Sequence, residues 1–233
     1  MRSLFGLMGV ELAVPDHTTL SRRSKGLVVR LRSSASTGPI HLIVDSTGLS
    51  IVGEGEWAAA KYGGKGRRGW KKLHLGVNGA GVIVAQSLTD GGVDDAAEGI
   101  KLLRSVDRRV RGFTGDGAYD SIAVYTAGGA RGARVVVPPS RKATGPRRRE
   151  PRSAARDREI ARIRRVGRRR WKTESGYHRQ GRVENAFFRF KSIVGGRLRA
   201  RQGDTRATEA LIACNVLNRM FELGMPRSVA IPR

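Results

Sequence analysis

Residues 40–52 read Ile40-His41-Leu42-Ile43-Val44-Asp45-Ser46-Thr47-Gly48-Leu49-Ser50-Ile51-Val52. Ile40, Leu42, Ile43 and Val44 make a short apolar run that stops at Asp45, the pattern of a buried strand with a carboxylate at its end. Downstream, Trp70-Lys71-Lys72-Leu73-His74-Leu75-Gly76-Val77 alternates as a half-buried strand does, Asn78-Gly79 is a turn signal, and Gly81-Val82-Ile83-Val84-Ala85 returns as a third strand. Between the first two strands, residues 53–69 are glycine-rich and basic and read as a loop.

Asp95 with Glu98 three residues on reads as a capping box, and Ile100, Leu103 and Val106 follow at helical spacing. Val110 to Asp116 reads as a fourth strand, Asp120 as the cap of a short helix near 121–128, and Arg134 to Val137 as a fifth strand stopped by Pro138 and Pro139. Residues 141–170 hold 14 Lys or Arg and 3 acids, a basic insertion with a helix expected from Ala154 to Val166. Helices are expected over 180–194 and 205–222, the second carrying Ala210, Leu211, Cys214, Leu217 and Phe221 on one face. The order β-β-β-α-β-α-β-α-α describes an α/β domain: a ribonuclease-H-like mixed sheet with helices on its faces and a basic insertion before the helix that bears Glu184.

The chain has 233 residues and a formal net charge of +25, with 36 Arg and 9 Lys against 20 acids. Such a balance draws a protein to polyanions, and arginine favours bidentate phosphate contact. An apolar fraction of 39% argues against wholesale disorder, and no apolar run is long enough to span a membrane. The single cysteine, Cys214, rules out an internal disulfide and fits a reducing cytosol. Four scattered histidines give no zinc cluster, and no Walker A sequence points to a nucleotide cofactor. Gly64-x-Gly66-x-x-Gly69 precedes a strand and opens no helix, so it reads as a basic loop and not a dinucleotide site.

In an enzyme that cuts or joins phosphodiesters with two metal ions, hard oxygen ligands belong at strand ends in mid-sheet, with one more from a nearby helix. Asp45 ends the first strand and Asp116 the fourth, and these strands are neighbours in the expected fold. Read singly, Asp45 also suits an Asx-turn with Thr47, Asp116 a turn before Gly117, and Asp120 competes with Asp116. Between residues 160 and 208 the acids are Glu174, Glu184 and Asp204. Glu184 lies among Arg179, Arg182, Arg189 and Lys191, where it serves as a ligand or as an arginine-paired surface group. Tyr177, Glu184 and Lys191 recur every seven residues and line one stripe if the helix extends that far, while Val183, Phe187, Phe190 and Val194 face the core.

Asp45-Ser46-Thr47-Gly48-Leu49, Gly53-Glu54-Gly55-Glu56-Trp57, Trp70 to Leu75, Gly115-Asp116-Gly117-Ala118-Tyr119-Asp120 and Tyr177 to Lys191 together resemble a DDE transposase. The resemblance is to the bacterial insertion-sequence-five group, within the insertion-sequence-four superfamily, and it runs from about residue 8 to the end. It implies metal-dependent DNA end cleavage and strand transfer by Asp45, Asp116 and Glu184 with two Mg²⁺ (or Mn²⁺). It makes Tyr177 and Lys191 members of a Tyr-Arg-Glu-Lys signature whose arginine position is Gln180 here, beside Arg179 and Arg182. With Arg147, Arg148, Arg149, Arg168, Arg169 and Arg170 of the insertion, these are the expected DNA contacts. Residues 40–225 are then the catalytic domain and 226–233 a tail. Residues 1–39, with a short helix opening at Asp16, read as the N-terminally truncated remainder of a DNA-binding segment. The resemblance also implies double-stranded DNA as partner, a homodimer on DNA, and a bacterial cytoplasmic protein associated with the nucleoid. The competing reading is a catalytically impaired remnant that only binds DNA.

Overall fold

The computed structural model describes residues 2–14, 16–24, 26–33, 38–52, 69–141, 143 and 154–224. The loop expected over 53–69 (its last residue apart), Trp57, the expected contacts Arg147, Arg148 and Arg149, and the 226–233 tail lie outside the described residues.

Five strands form one path in the order β3-β2-β1-β4-β5. They are β1 (Ile40–Ile51), β2 (Trp70–Val77), β3 (Ile83–Asp90), β4 (Val110–Thr114) and β5 (Arg134–Val136). β1, β2 and β3 are successively antiparallel, as the Asn78-Gly79 turn requires, whereas β4 and β5 add in parallel. A two-residue strand, β6 (Arg197–Leu198), pairs with the far end of β1 at Ser50 and Ile51. The mixed sheet flanked by helices is the fold expected from the sequence.

Eight α-helices accompany it among the described residues: α1 (Arg2–Leu7), α2 (His17–Ser24), α3 (Asp95–Ser105), α4 (Ile122–Ala130), α5 (Ala154–Val166), α6 (Arg168–Ser175), α7 (Gly181–Arg189) and α8 (Gly203–Glu222). β1 is buried on both faces and divides two cores. Leu42 and Val44 pack with Leu102, Leu103, Phe113, Tyr119 and Val124 on the α3–α4 side. Ile43 and Leu49 pack with Leu73, Leu75, Val183, Phe187, Cys214 and Leu217 on the α7–α8 side. This division follows from the two-residue period of a strand. Cys214 is buried there and its thiol is pushed up to about 12, an inert core residue as expected.

The local expectations are corrected at four places. β1 does not stop at Asp45: it continues through Ser46-Thr47-Gly48 to Ile51, held by pairing from Ile43↔Val77 to Ser50↔Trp70. The cap of α3 is Asp94, whose carboxylate accepts from the Ala97 N–H at 2.8 Å, and Asp95 is already helical. α4 is capped by Ser121, not Asp120. Asp120 instead accepts both arms of Arg156 at 2.7 and 2.8 Å and the Ser140 N–H at 3.1 Å, tying α5 of the basic insertion to the sheet domain. Finally, the helix expected over 180–194 is not continuous, and the turn before it is separate. Tyr177–Gln180 is a 3-10 turn after Gly176, which has φ +77°, and Phe190–Val194 is a π turn.

Trp171 is fully buried, with its Nε1–H donated to Glu159, so it belongs to the packing of α6 on α5. Trp70 is half exposed, its ring lying against Gly48 and Gly91. Among the described residues no helix is long and apolar enough to cross a membrane.

Candidate active site

β1 and β4 run parallel with Ile43 opposite Thr114, and Asp45 and Asp116 each stand two residues beyond that last pair. Asp45 pairs with Leu75 across the β1–β2 ladder. Leu75 packs into the α7–α8 core, so Asp45 belongs to the sheet face covered by α7. Asp116 leads into the 3-10 turn Gly117–Tyr119, and its Oδ1 accepts the Ala118 N–H at 2.9 Å. Gly115 is required before it because any Cβ there would meet the Tyr119 ring, which is buried beneath the turn. Glu184 stands in the first turn of α7, where the helix dipole favours a carboxylate.

Asp45 is partly buried and its carboxyl is pushed up to about 6. Burial is the main cause; the Ser46 N–H, donated to Oδ1 at 2.8 Å, opposes it; Asp116, Glu184 and Asp95 add to it by repulsion. Asp116, Asp45 and Glu184 in turn raise the phenol of half-buried Tyr177, after burial itself. Asp116 and Glu184 thus stand near enough to act by charge on both Asp45 and Tyr177. Tyr177 is steadied from behind by Trp171, 6.1 Å between ring centroids, and by the Lys172 ammonium 5.0 Å above its ring.

The acids are not drawn to a point. Among the described residues no three His, Cys, Asp or Glu side chains are gathered tightly enough to hold a metal ion. The donor chemistry nevertheless fits hard divalent cations. Asp116 and Glu184 each repel Asp45, and among the described residues none of the three forms an ion pair with a basic side chain.

Gln180 departs from its expected place among the DNA contacts. It is 4% exposed, and its Nε2 donates to the Val44 carbonyl at 3.0 Å, so it supports the β1 backbone next to Asp45 and does not reach the surface. Arg179 and Arg182 are exposed, as are Arg169 and Lys191. Arg168 donates to the Pro139 carbonyl at 2.7 Å, and Arg170 pairs with Glu174 at 2.7 Å. The stripe of Tyr177, Glu184 and Lys191 is broken, since these residues lie in a 3-10 turn, an α-helix and a π turn respectively.

His41 was not foreseen as part of the site. Its Nε2 is 2.7 Å from Thr114 Oγ1, and its Nδ1 is 3.4 Å from Arg179 Nη1. Burial first, then Arg179, Arg111 and Arg134, hold it down at about 4, so the ring is neutral near pH 7. A guanidinium only donates, so Nδ1 accepts from Arg179 and the ring proton sits on Nε2, donated to Thr114. The strand period held the available signal: His41, Ile43 and Asp45 share one face of β1.

A family model described as a Transposase DDE domain matches residues 36–219, and a second model with the same description matches residues 1–54. The first match takes in the whole sheet, Asp45, Asp116, Glu184 and most of α8. The chain belongs to the DDE transposase family.

Proposed function

We propose that this member of the DDE transposase family is a metal-dependent enzyme of DNA transposition, and that Asp45, Asp116 and Glu184 are its catalytic acids. On the motifs that carry the resemblance, it is placed with the insertion-sequence-five group. The reaction is hydrolysis at the element's end, which leaves a 3′-hydroxyl, followed by attack of that hydroxyl on a target phosphodiester. One phosphodiester replaces another, so no nucleotide cofactor is required. The observation that carries the reading is that Asp45 and Asp116 each stand two residues beyond the last β1–β4 pair, with Glu184 on α7 near enough to repel Asp45.

Asp45, Asp116 and Glu184 would hold two divalent ions, Mg²⁺ or Mn²⁺, which when bound polarise phosphate oxygens and stabilise the charge that develops in transfer. The protein supplies position. The Ser46 and Ala118 N–H groups orient the two aspartates, and Gln180 fixes the β1 backbone between them and α7. Tyr177, its phenol raised, stays protonated and donates to a phosphate oxygen. Arg179, aimed by neutral His41, binds the DNA backbone together with Arg182, Lys191 and Arg169. Residues 40–225 form the catalytic unit, residues 1–39 contribute to DNA binding, and the working form on DNA is a dimer.

The test is nicking of supercoiled plasmid DNA by purified full-length protein in Mg²⁺. The wild type is expected to nick. The Asp45→Asn, Asp116→Asn, Glu184→Gln triple variant is expected not to nick while still retarding DNA. Equal nicking by both proteins would remove the assignment.

A further inference from the structure

The loop from β6 into α8 carries Arg199 and Arg201, and side chains of α8 fix its backbone. Glu209 accepts the N–H groups of Arg199 at 3.0 Å and Ala200 at 2.9 Å, and Arg206 Nε donates to the Ala200 carbonyl at 2.9 Å. Upstream, the Val52 N–H donates to the Leu198 carbonyl at 2.9 Å, and Leu198 is buried in the α7–α8 core. The backbone takes up the Glu209 carboxylate, which therefore does not neutralise the arginines. Both guanidiniums are exposed and, among the described residues, have no partner.

Across from the loop, Ser21 and Ser24 of α2 complete a cavity of about 460 Å³ with Arg199, Arg201, Gln202 and Thr205. The lining selects the occupant. Among the described residues neither an acid nor an aromatic ring lines it, and Asp204 stands outside it in the first turn of α8. The Ser24 and Thr205 hydroxyls donate to the Ser21 and Gln202 carbonyls at 2.7 and 2.9 Å. Two guanidiniums, the Ser21 hydroxyl and the Gln202 amide are left as donors. A base or an apolar side chain uses none of these, whereas phosphate oxygens use all of them. Arg22 and Arg23 extend the positive charge along the last turn of α2. β6 pairs with Ser50 and Ile51, which lie five and six residues beyond Asp45 on β1. At the rise of a strand that separation is about 17–20 Å, so the cavity does not meet the phosphate that reacts at the acids.

We propose that this cavity holds a phosphate of the DNA backbone remote from the catalytic acids, with Arg199 and Arg201 as its ligands and α2 as its opposite wall. The proposal rests on the proposed action of the chain on DNA. With a rise of about 3.4 Å per base pair, the held phosphate lies roughly half a helical turn of duplex from the acids. Arginines on a loop already fixed by Glu209 and Arg206 need less ordering when the backbone arrives. The site also couples α2 of the N-terminal segment to the catalytic unit through a shared ligand.

The experiment measures anisotropy of a fluorescein-labelled duplex with the full chain, without divalent metal, over a series of chloride concentrations. Loss of one phosphate contact lowers the slope of log affinity against log salt by about 1. The Arg199→Gln, Arg201→Gln double variant is therefore expected to lower the slope by about 2 and to bind at least about tenfold more weakly at low salt. Arg199→Lys with Arg201→Lys should restore the slope, because the charge is kept. Arg104→Gln, which removes an exposed arginine on α3, should leave the slope unchanged. An unchanged slope in the double glutamine variant, or an equal loss in Arg104→Gln, would overturn the site and leave the DNA reading standing. Release of DNA by millimolar inorganic phosphate from the wild type and not from the double variant would assign the cavity to a free anion and likewise overturn the proposal. Failure of the wild type to bind the duplex would remove the DNA reading and the site with it.

Discussion

Gln180 donates from Nε2 to the carbonyl oxygen of Val44 at 3.0 Å, and Val44 immediately precedes Asp45. One amide thus links the 3-10 turn that carries Tyr177 to the strand that carries the first acid. Nearly all of Gln180 is buried, and its side chain holds the β1 backbone. Among the described residues its buried Oε1 has no hydrogen-bond partner, which makes the side chain costly to hold and points to the donated bond as its purpose.

Gln180→Ala is expected to destabilise the protein by about 1–3 kcal/mol through a cavity and a lost buried hydrogen bond. DNA nicking should fall while affinity for DNA changes less than about twofold. Urea midpoints and anisotropy titrations check the two halves. A large loss of affinity with unchanged stability would return Gln180 to the DNA-binding surface.

Asp45 gives a pH dependence with a defined sign. Its carboxyl stands at about 6 in the folded protein against an ordinary 3.8, so between those values the folded state binds more protons than the unfolded one. Stability without divalent metal therefore falls as pH rises through this window, and the cost is complete above about 6. Asp45→Asn is expected to be more stable than wild type at neutral pH by on the order of 1–3 kcal/mol, and to lose that advantage towards pH 4. Adding Mg²⁺ should stabilise the wild type and leave the variant unchanged. Denaturant midpoints across pH, with and without Mg²⁺, measure this.

The Arg156–Asp120 pair should act as the fastening of the basic insertion. The Asp120 side chain is 3% exposed and accepts two guanidinium bonds, which also raise the arginine's pKa. Removing the cation by Arg156→Ala leaves a buried, uncompensated carboxylate and is expected to cost about 3–5 kcal/mol. Arg156→Lys should recover only part of the loss, because an ammonium does not reproduce the two-pronged contact. Thermal unfolding of the two variants tests the ranking, and an effect below about 1 kcal/mol for Arg156→Ala would show the pair to be solvated.

Much of this architecture is legible in the chain because hydrophobic period and turn chemistry agree. Leu73, Leu75 and Val77 alternate into one core, Asn78-Gly79 turns the strand, and Ala210, Cys214 and Leu217 mark α8. The failures have local causes. Ser46-Thr47-Gly48 looks like a turn, yet β2 supplies a ladder partner for every residue and carries β1 onward. Asp94 and Asp95 are equally good caps by composition, and backbone geometry chose the first. Asp120 lost its expected cap to Ser121 because a distant arginine claimed it, a long-range contact that no local window contains. β6 is two residues long and exists through pairing alone. At the site, residue type and strand position singled out Asp45 and Asp116 as candidates, whereas the bonds of Gln180 and His41 depend on how α7 and β4 pack against β1.

The most direct measurement of the central claim is binding of Mn²⁺ to the full-length protein in the presence of duplex DNA, followed by electron paramagnetic resonance. Three carboxylates drawn from separate elements should act as one ligand set, so the wild type should bind the ion and each of Asp45→Asn, Asp116→Asn and Glu184→Gln should weaken that binding at least about tenfold. Identical isotherms for the wild type and all three variants would contradict the account.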